Sequence, residues 1–288
     1  MNLAEMYNAV QSRYSNVATG TENDVYASRV AASFGYTKDD LDNIPKGANL
    51  GVSCGNPLAV AGLREAKVVV DLGCGAGFDV FLASRKVQAS GKAIGVDMNH
   101  DMLAKANRNK DLAKAQNVEF IKAPITDLSP LQNGSTDCVI SNCVINLVPE
   151  VEKQLVFNEM ARILKPGGRV AVSDVLLKQD LVPDLKQNLA LYVGCIAGAS
   201  KVEDYESYLR IAGFKDVLIT DTCKDLNVYK DTSLDVNDAS CCSKSPSVPP
   251  DGCSHGNGNH TDSSTTDPAA NIDFNEHAGA FAIYAMKT

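Results

Sequence analysis

The stretch Val68-Val69-Val70-Asp71-Leu72-Gly73-Cys74-Gly75-Ala76-Gly77 decides the fold. The apolar run from Lys67 to Leu72 reads as a strand buried on both faces of a parallel sheet. The glycines after it make a tight turn, and Phe78 to Lys86 has helical character. Strand, glycine turn and helix open a βαβ unit, and the N-terminus of such a helix suits a polar or anionic ligand group. The third glycine is Gly77, giving G-x-G-x-G. A dinucleotide fingerprint would place it one residue later, where Phe78 stands.

A second strand, Ala93 to Val96, ends in Asp97. An acid about twenty residues past the glycines can bind both hydroxyls of a ribose. Asp71, at the end of the first strand, can meet a cationic amine. Together the two acids suit a ligand with an amino-acid end and an unphosphorylated ribose, a description that S-adenosylmethionine meets. The rest of the core follows the same grammar. A helix is expected from Asn99 to Ala115 and a strand from Val118 to Lys122. The loop Pro124 to Asp127 then falls at the carboxyl edge, where such sheets bind ligands. Strand four spans Thr136 to Ser141, and a helix from Glu150 to Leu164 is stopped by Lys165-Pro166-Gly167-Gly168. Strand five is Arg169 to Val175. Helices over Pro183 to Ala197 and Val202 to Ala212 precede strand six, Phe214 to Thr220, and strand seven is Ala280 to Met286.

The chain divides into an N-terminal helical segment (1–50, with a helix over Glu22 to Phe34), a core (51–230), an insertion (231–276) and the final strand (277–288). The insertion is rich in Ser, Asp, Pro, Gly and Asn, which marks it as flexible. It carries Cys241, Cys242, Cys253, His255 and His260. A net charge of -8 argues against a nucleic-acid partner. No apolar run is long enough to span a bilayer, and Met1 to Asn16 lacks the pattern of a signal peptide. With no such signal, nine cysteines suggest reduced thiols in a cytoplasmic setting, used for soft-ion binding or redox work.

The thiols separate by position. Cys74 sits in the glycine loop and Cys138 alternates with apolar neighbours in strand four, so both read as structural. Cys223 has no supporting context. Cys54 lies in a glycine-rich loop before the short helix expected from Asn56 to Leu63, a place that favours the thiolate. Cys143 follows strand four on the ligand edge, and Cys195 follows strand five. Three thiolates with no nearby histidine suit a soft, thiophilic centre. Zinc is disfavoured, since a structural zinc site takes four ligands, typically in paired spacing.

Several stretches resemble the arsenite S-adenosylmethionine methyltransferases. They are Ala48-Asn49-Leu50-Gly51-Val52-Ser53-Cys54-Gly55-Asn56-Pro57, Asp71 to Asp79, Gly95-Val96-Asp97-Met98, Ser141-Asn142-Cys143-Val144-Ile145-Asn146-Leu147, Gly194-Cys195-Ile196-Ala197-Gly198 and Asn275 to Gly279. The resemblance covers roughly residues 25 to 230 and the last strand. It implies an α/β, Rossmann-like class I methyltransferase fold: seven strands, helices on both faces, the last strand antiparallel. It implies arsenic(III) held by Cys54, Cys143 and Cys195, or delivered as a thiol conjugate, with S-adenosylmethionine as methyl donor. Asp71, Gly73, Gly75, Gly77, Asp97, Met98, Ile125, Thr126 and Asn142 then form the cofactor site. Arsenite and methylarsenite are the implied substrates, a reductant of glutathione or thioredoxin type the implied partner, and arsenic detoxification the implied role. Many members of the family carry a further cysteine, N-terminal to the one matching Cys54 and disulfide-bonded to it. Residues 1–53 contain none, which places that recycling step in doubt. Two rivals stand beside this reading. A methyltransferase of an organic metabolite would need neither Cys143 nor Cys195. A metal-sequestering thiol protein would need no nucleoside pocket.

Overall fold

The computed structural model describes residues 2–21, 23–180, 197–229 and 273–288. Seven strands form one sheet: β1 (Val68–Leu72), β2 (Lys92–Asp97), β3 (Val118–Lys122), β4 (Thr136–Asn142), β5 (Leu164–Leu177), β6 (Phe214–Asp221) and β7 (Ala278–Lys287). Their spatial order is β3-β2-β1-β4-β5-β7-β6. The first five run parallel, while β7 is antiparallel to both β5 and β6. This is the expected sheet with its antiparallel last strand. The order reverses between β1 and β4, and a crevice at such a switch point is where open α/β sheets hold ligands.

The helices are α1 (Leu3–Thr19), α2 (Asp24–Ser33), α3 (Lys38–Asp42), α4 (Leu58–Ala61), α5 (Phe78–Val87), α6 (His100–Ala113), α7 (Lys153–Ile163), α8 (Val202–Ile211) and α9 (Phe274–His277). Side chains on the parallel strands alternate between two cores, as a period of two requires. Val70, Leu72, Val139 and Val172 join Phe157 of α7 and Leu209 of α8 on one face. Val69, Ile140 and Ala171 join Phe81 of α5 and Leu103 of α6 on the other. A third cluster lies at the carboxyl edge, where Val10 of α1 and Val30 of α2 pack with Cys54, Cys143, Val175 and Ala280. It seats the N-terminal segment over the site. Among the described residues no helix is long and apolar enough to cross a membrane.

Two expectations need correction. The helix before strand five stops within a residue of the expected Leu164, but Lys165-Pro166-Gly167-Gly168 lies inside β5 instead of ahead of it. The helix ends at Ile163 and passes directly into β5, where Leu164 pairs with Thr136 and Arg169 with Cys138. The four residues bulge out within the strand, because Pro166 cannot donate to a ladder while buried Leu164 can still pair. The helix expected from Asn56 to Leu63 shrinks to the single turn α4, closed by Gly62 in the left-handed region at φ +54°. Most of the helix expected from Pro183 to Ala197, with Cys195, lies outside the described residues, as do Cys241, Cys242, Cys253, His255 and His260. Of the expected insertion, residues 273–276 are described. Asp273 caps α9, and Phe274 is buried.

Candidate active site

The glycine loop is shaped by close packing. Gly73 has φ +72°, and a Cβ there would lie 2.4 Å from Val144, so no larger residue fits under the β4 loop. The amides of Gly73 and Cys74 donate to Val96 O at 2.8 and 3.0 Å, which ties the loop to β2. Gly75 N donates to Asp97 Oδ2 at 2.9 Å, and Asn99 N donates to Asp97 Oδ1 at 2.8 Å. The cavity above this loop takes its floor from the β1 and β2 ends and part of its wall from Tyr7, Val10, Gln11 and Tyr14 of α1. Of the expected cofactor residues, Asp71, Gly73, Gly75, Asp97, Met98, Ile125, Thr126 and Asn142 all line it. Gly77 instead caps α5 at φ +94°.

Sequence reasoning missed part of the floor. Tyr36 Oη donates to Asp79 Oδ1 at 2.6 Å. Asn142 Nδ2 lies 3.0 Å from Asp79 Oδ2 and 2.9 Å from both Gly55 O and Tyr36 Oη. Asp79, in the first turn after the glycines, was the legible member; Tyr36 carried no signal. Asp71 and Asp79 are buried, and Asp97 partly so. Burial pushes the Asp71 carboxyl well above its ordinary range, with the charges of Asp79 and Asp97 adding to the effect. Burial pushes Asp79 up to about 6, against the pull of Tyr36 and Asn142, and it raises Asp97 as well. None of the described cavity-lining residues is Lys, Arg or His. Three desolvated carboxylates without a basic partner suit a cationic ligand, and S-adenosylmethionine carries a sulfonium and an ammonium.

The thiols meet at the rim. Cys54 and Cys143, 89 residues apart, are joined by a disulfide with a Cα–Cα distance of 5.6 Å. Cys143 lies one residue past β4 at φ +59°, a conformation uncommon for a residue with a Cβ and often found at functional sites. Its amide donates to Ser173 O at 2.8 Å. The Cys54 loop closes on β5 because Gly55 has no side chain: a Cβ would lie 2.5 Å from that of Ser173. Cys54 N donates to Asn142 Oδ1 at 3.2 Å, and Tyr229 Oη donates to Ser53 O at 2.5 Å. α4 is one turn and begins at Leu58, so it is no source of thiolate stabilisation for Cys54. Cys74 and Cys138 are buried and free. Burial pushes the Cys74 thiol up and the Cys138 thiol to about 12, so both are inert. Cys223 is exposed.

One more acid stands here that the sequence did not single out. A carboxylate oxygen of Asp174, on β5, and the sulfurs of Cys54 and Cys143 all lie within 4.8 Å of one another. Tyr205 Oη donates to Asp174 Oδ2 at 2.8 Å; Asn146 Nδ2 and Val175 N donate to Oδ1 at 2.8 and 2.9 Å.

A seven-stranded sheet, a glycine loop and a cavity at the switch point define the class. The chain belongs to the methyltransferase-domain family, whose model matches residues 63–213. It is 44% identical over 201 residues to an arsenite methyltransferase of Halobacterium salinarum, covering 70% of this chain and 51% of that one. It is 32% identical over 222 residues to an arsenite methyltransferase of Mus musculus, covering 73% and 58%. The chain thus spans about half the length of these curated relatives. Among solved structures, an arsenic (III) S-adenosylmethionine methyltransferase from Chlamydomonas reinhardtii superposes with a TM-score of 0.57 at 24% identity, covering 93% of this chain and 75% of that one. At that identity the likeness shows the fold.

Proposed function

We propose that this protein transfers the methyl group of S-adenosylmethionine to trivalent arsenic held by protein thiolates, as an arsenite methyltransferase. The observation that carries the proposal is the convergence of Cys54 and Cys143, 89 residues apart, beside a cavity whose carboxylates face no basic side chain among the described lining residues. The arsenite methyltransferases among its relatives support it. A methyltransferase of an organic metabolite has no use for such a pair.

Bound in the cavity, S-adenosylmethionine supplies an electrophilic sulfonium methyl. Asp97 would hold the ribose hydroxyls, while Asp71 and Asp79 would face the cationic groups. The reduced thiols of Cys54 and Cys143 hold arsenic(III) so that its lone pair faces the methyl, and Cys195 would supply a third sulfur. The chain's work is positioning and desolvation. Methyl transfer raises arsenic from the trivalent to the pentavalent state. Two thiolates joining as a disulfide return the two electrons, and an external reductant of glutathione or thioredoxin type reopens the bridge. The cysteine usage supports a reducing, cytoplasmic setting for this cycle, and an arsenic-detoxifying role follows from the chemistry.

The test is product speciation after incubation with arsenite, S-adenosylmethionine and a small thiol. Methylated arsenic is expected. Tight cofactor binding without any methylated arsenic would remove the proposal.

A further inference from the structure

We propose that Tyr229 is a positioning residue for Cys54: its hydroxyl fixes the peptide that leads into Cys54 and so sets the approach of that thiol to Cys143. The consequence for arsenic capture rests on the reading above; the consequence for the thiol pair does not.

The peptide group between Ser53 and Cys54 is held at both ends. Its carbonyl, Ser53 O, accepts from Tyr229 Oη at 2.5 Å, and its N–H, on Cys54, donates to Asn142 Oδ1 at 3.2 Å. In a trans peptide these two groups point in opposite directions, so Tyr229 and Asn142 hold one plane from opposite sides. Asn142 ends β4, next to Cys143. With that plane fixed, the Cys54 thiol turns only about the bonds of its own residue. Residues 43–57 lie between α3 and α4, with no strand ladder to order them. The place of Cys54 therefore depends on such individual bonds.

Tyr229 is itself braced. Its ring stacks on Phe34 at a centroid distance of 5.6 Å. It ends a single helical turn, Leu226–Tyr229. Leu226 N donates to Asn275 Oδ1 at 2.9 Å, and Asn275 Nδ2 donates to Asp225 Oδ1 at 2.7 Å. Asn227 Nδ2 donates to Asp273 Oδ1 at 2.8 Å, and Phe274 N donates to Asn227 Oδ1 at 3.3 Å. These bonds tie the turn to α9, which leads straight into β7, so the sheet stands behind the Tyr229 hydroxyl. Tyr229 is not among the residues lining the cofactor cavity. Its hydroxyl can thus act on the thiols and leave the cofactor alone.

The consequence is preorganisation of the thiol pair. In exchange with glutathione, the Cys54–Cys143 bridge takes two electrons and two protons from two glutathione thiols. The products are two protein thiols and one glutathione disulfide. A Cys54 held close to Cys143 re-forms the bridge readily, whereas a loosened Cys54 must first be ordered. Without the hydroxyl the bridge should be easier to reduce.

Tyr229→Phe removes the oxygen and keeps the ring that stacks on Phe34. The full chain and this variant are equilibrated in glutathione buffers of graded ratio, quenched by alkylation and mapped for the Cys54–Cys143 bridge. The net worth of one hydrogen bond sets the scale: the half-reduction point, as [GSH]²/[GSSG], should fall about threefold to tenfold. Affinity for S-adenosylmethionine, measured by calorimetry, should hold. If Tyr229 merely packs, the ring suffices and the half-reduction point stays at the wild-type value, which overturns the proposal. A loss of cofactor affinity as large as the shift also overturns it, because the whole edge of the fold would then have moved. Should Tyr229→Phe not fold, Asn275→Ala decides. It loosens the turn that carries the hydroxyl and should move the half-reduction point the same way; an unmoved point overturns the proposal. Arsenite turnover is measured alongside. KM for arsenite should rise more in Tyr229→Phe than KM for S-adenosylmethionine, and equal rises count against the positioning role. If the wild-type chain methylates no arsenite, the arsenic reading fails, and the glutathione equilibrium still judges Tyr229.

Discussion

Replacing Tyr36 by phenylalanine removes one oxygen and leaves the ring in place against Phe78, at a centroid distance of 4.6 Å. The lost hydroxyl donates to Asp79 Oδ1 at 2.6 Å, in a buried pair. Burial holds the Tyr36 hydroxyl well above the ordinary tyrosine range, so it stays a donor across the working pH range. A hydrogen bond to a charged acceptor is worth about 1.5–3 kcal/mol. About 1.4 kcal/mol corresponds to one pH unit in a titration, so Asp79 should ionise roughly one to two pH units higher without Tyr36. The sign follows from charge. Asp79 attracts a cationic ligand only when ionised, so wild-type affinity for S-adenosylmethionine should climb as pH rises through about 6. In Tyr36→Phe the same climb should occur roughly one to two units later, with a marked deficit at pH 7 that narrows above it. Calorimetry from pH 5 to pH 8.5 measures both curves. Two parallel curves, offset equally at every pH, would mean that Tyr36 acts through packing, and the charge argument would be refuted.

Three further outcomes are expected. Asp97→Ala should weaken cofactor binding by on the order of 1–3 kcal/mol through lost charged hydrogen bonds; an unchanged dissociation constant in a folded variant removes its ribose role. Cys143→Ser keeps the size but loses the soft donor. It should retain cofactor affinity and lose arsenite methylation, and near wild-type turnover would dismiss the thiol site. Turnover should depend strongly on added small thiol, and peptide mapping after alkylation of a single-turnover sample should find Cys54 joined to Cys143. A bridge to buried Cys74 or Cys138 would contradict their inert, structural role.

What could be read from the chain was local. β1, β2 and β3 were placed within a residue or so because each is a short run rich in Val, Ile or Phe, bounded by glycines or polar residues. Asp71 and Asp97 were legible because they fall at strand ends next to glycines. The β5 bulge was not, since it depends on which residue of β4 lies opposite. The Tyr36–Asp79–Asn142 network was hidden for the same reason: its hydrogen bonds join residues 43, 63 and 106 positions apart. Cys54 and Cys143 could be selected as members of one set, but not as a bonded pair, because thiol pairing follows approach in space and not sequence distance. Asp174 is one acid in a mostly apolar strand, and nothing in its sequence neighbours marks it. Only the fold puts two sulfurs beside it.

The place of β7 has a consequence for how the molecule is made. Among the described strands β6 pairs only with β7, and β7 also covers the free side of β5. On a ribosome adding roughly 5–20 residues per second, β6 emerges well before the strand it must pair with. For some seconds the nascent sheet ends in an open β5 edge, the kind of edge that invites unwanted pairing. Phe274, Ala278 and Ala280 belong to the apolar cluster that encloses Cys54 and Cys143. Until they arrive, both sulfurs face the small-molecule thiols of their surroundings, so the newly synthesised site closes around whatever oxidation state those thiols have set.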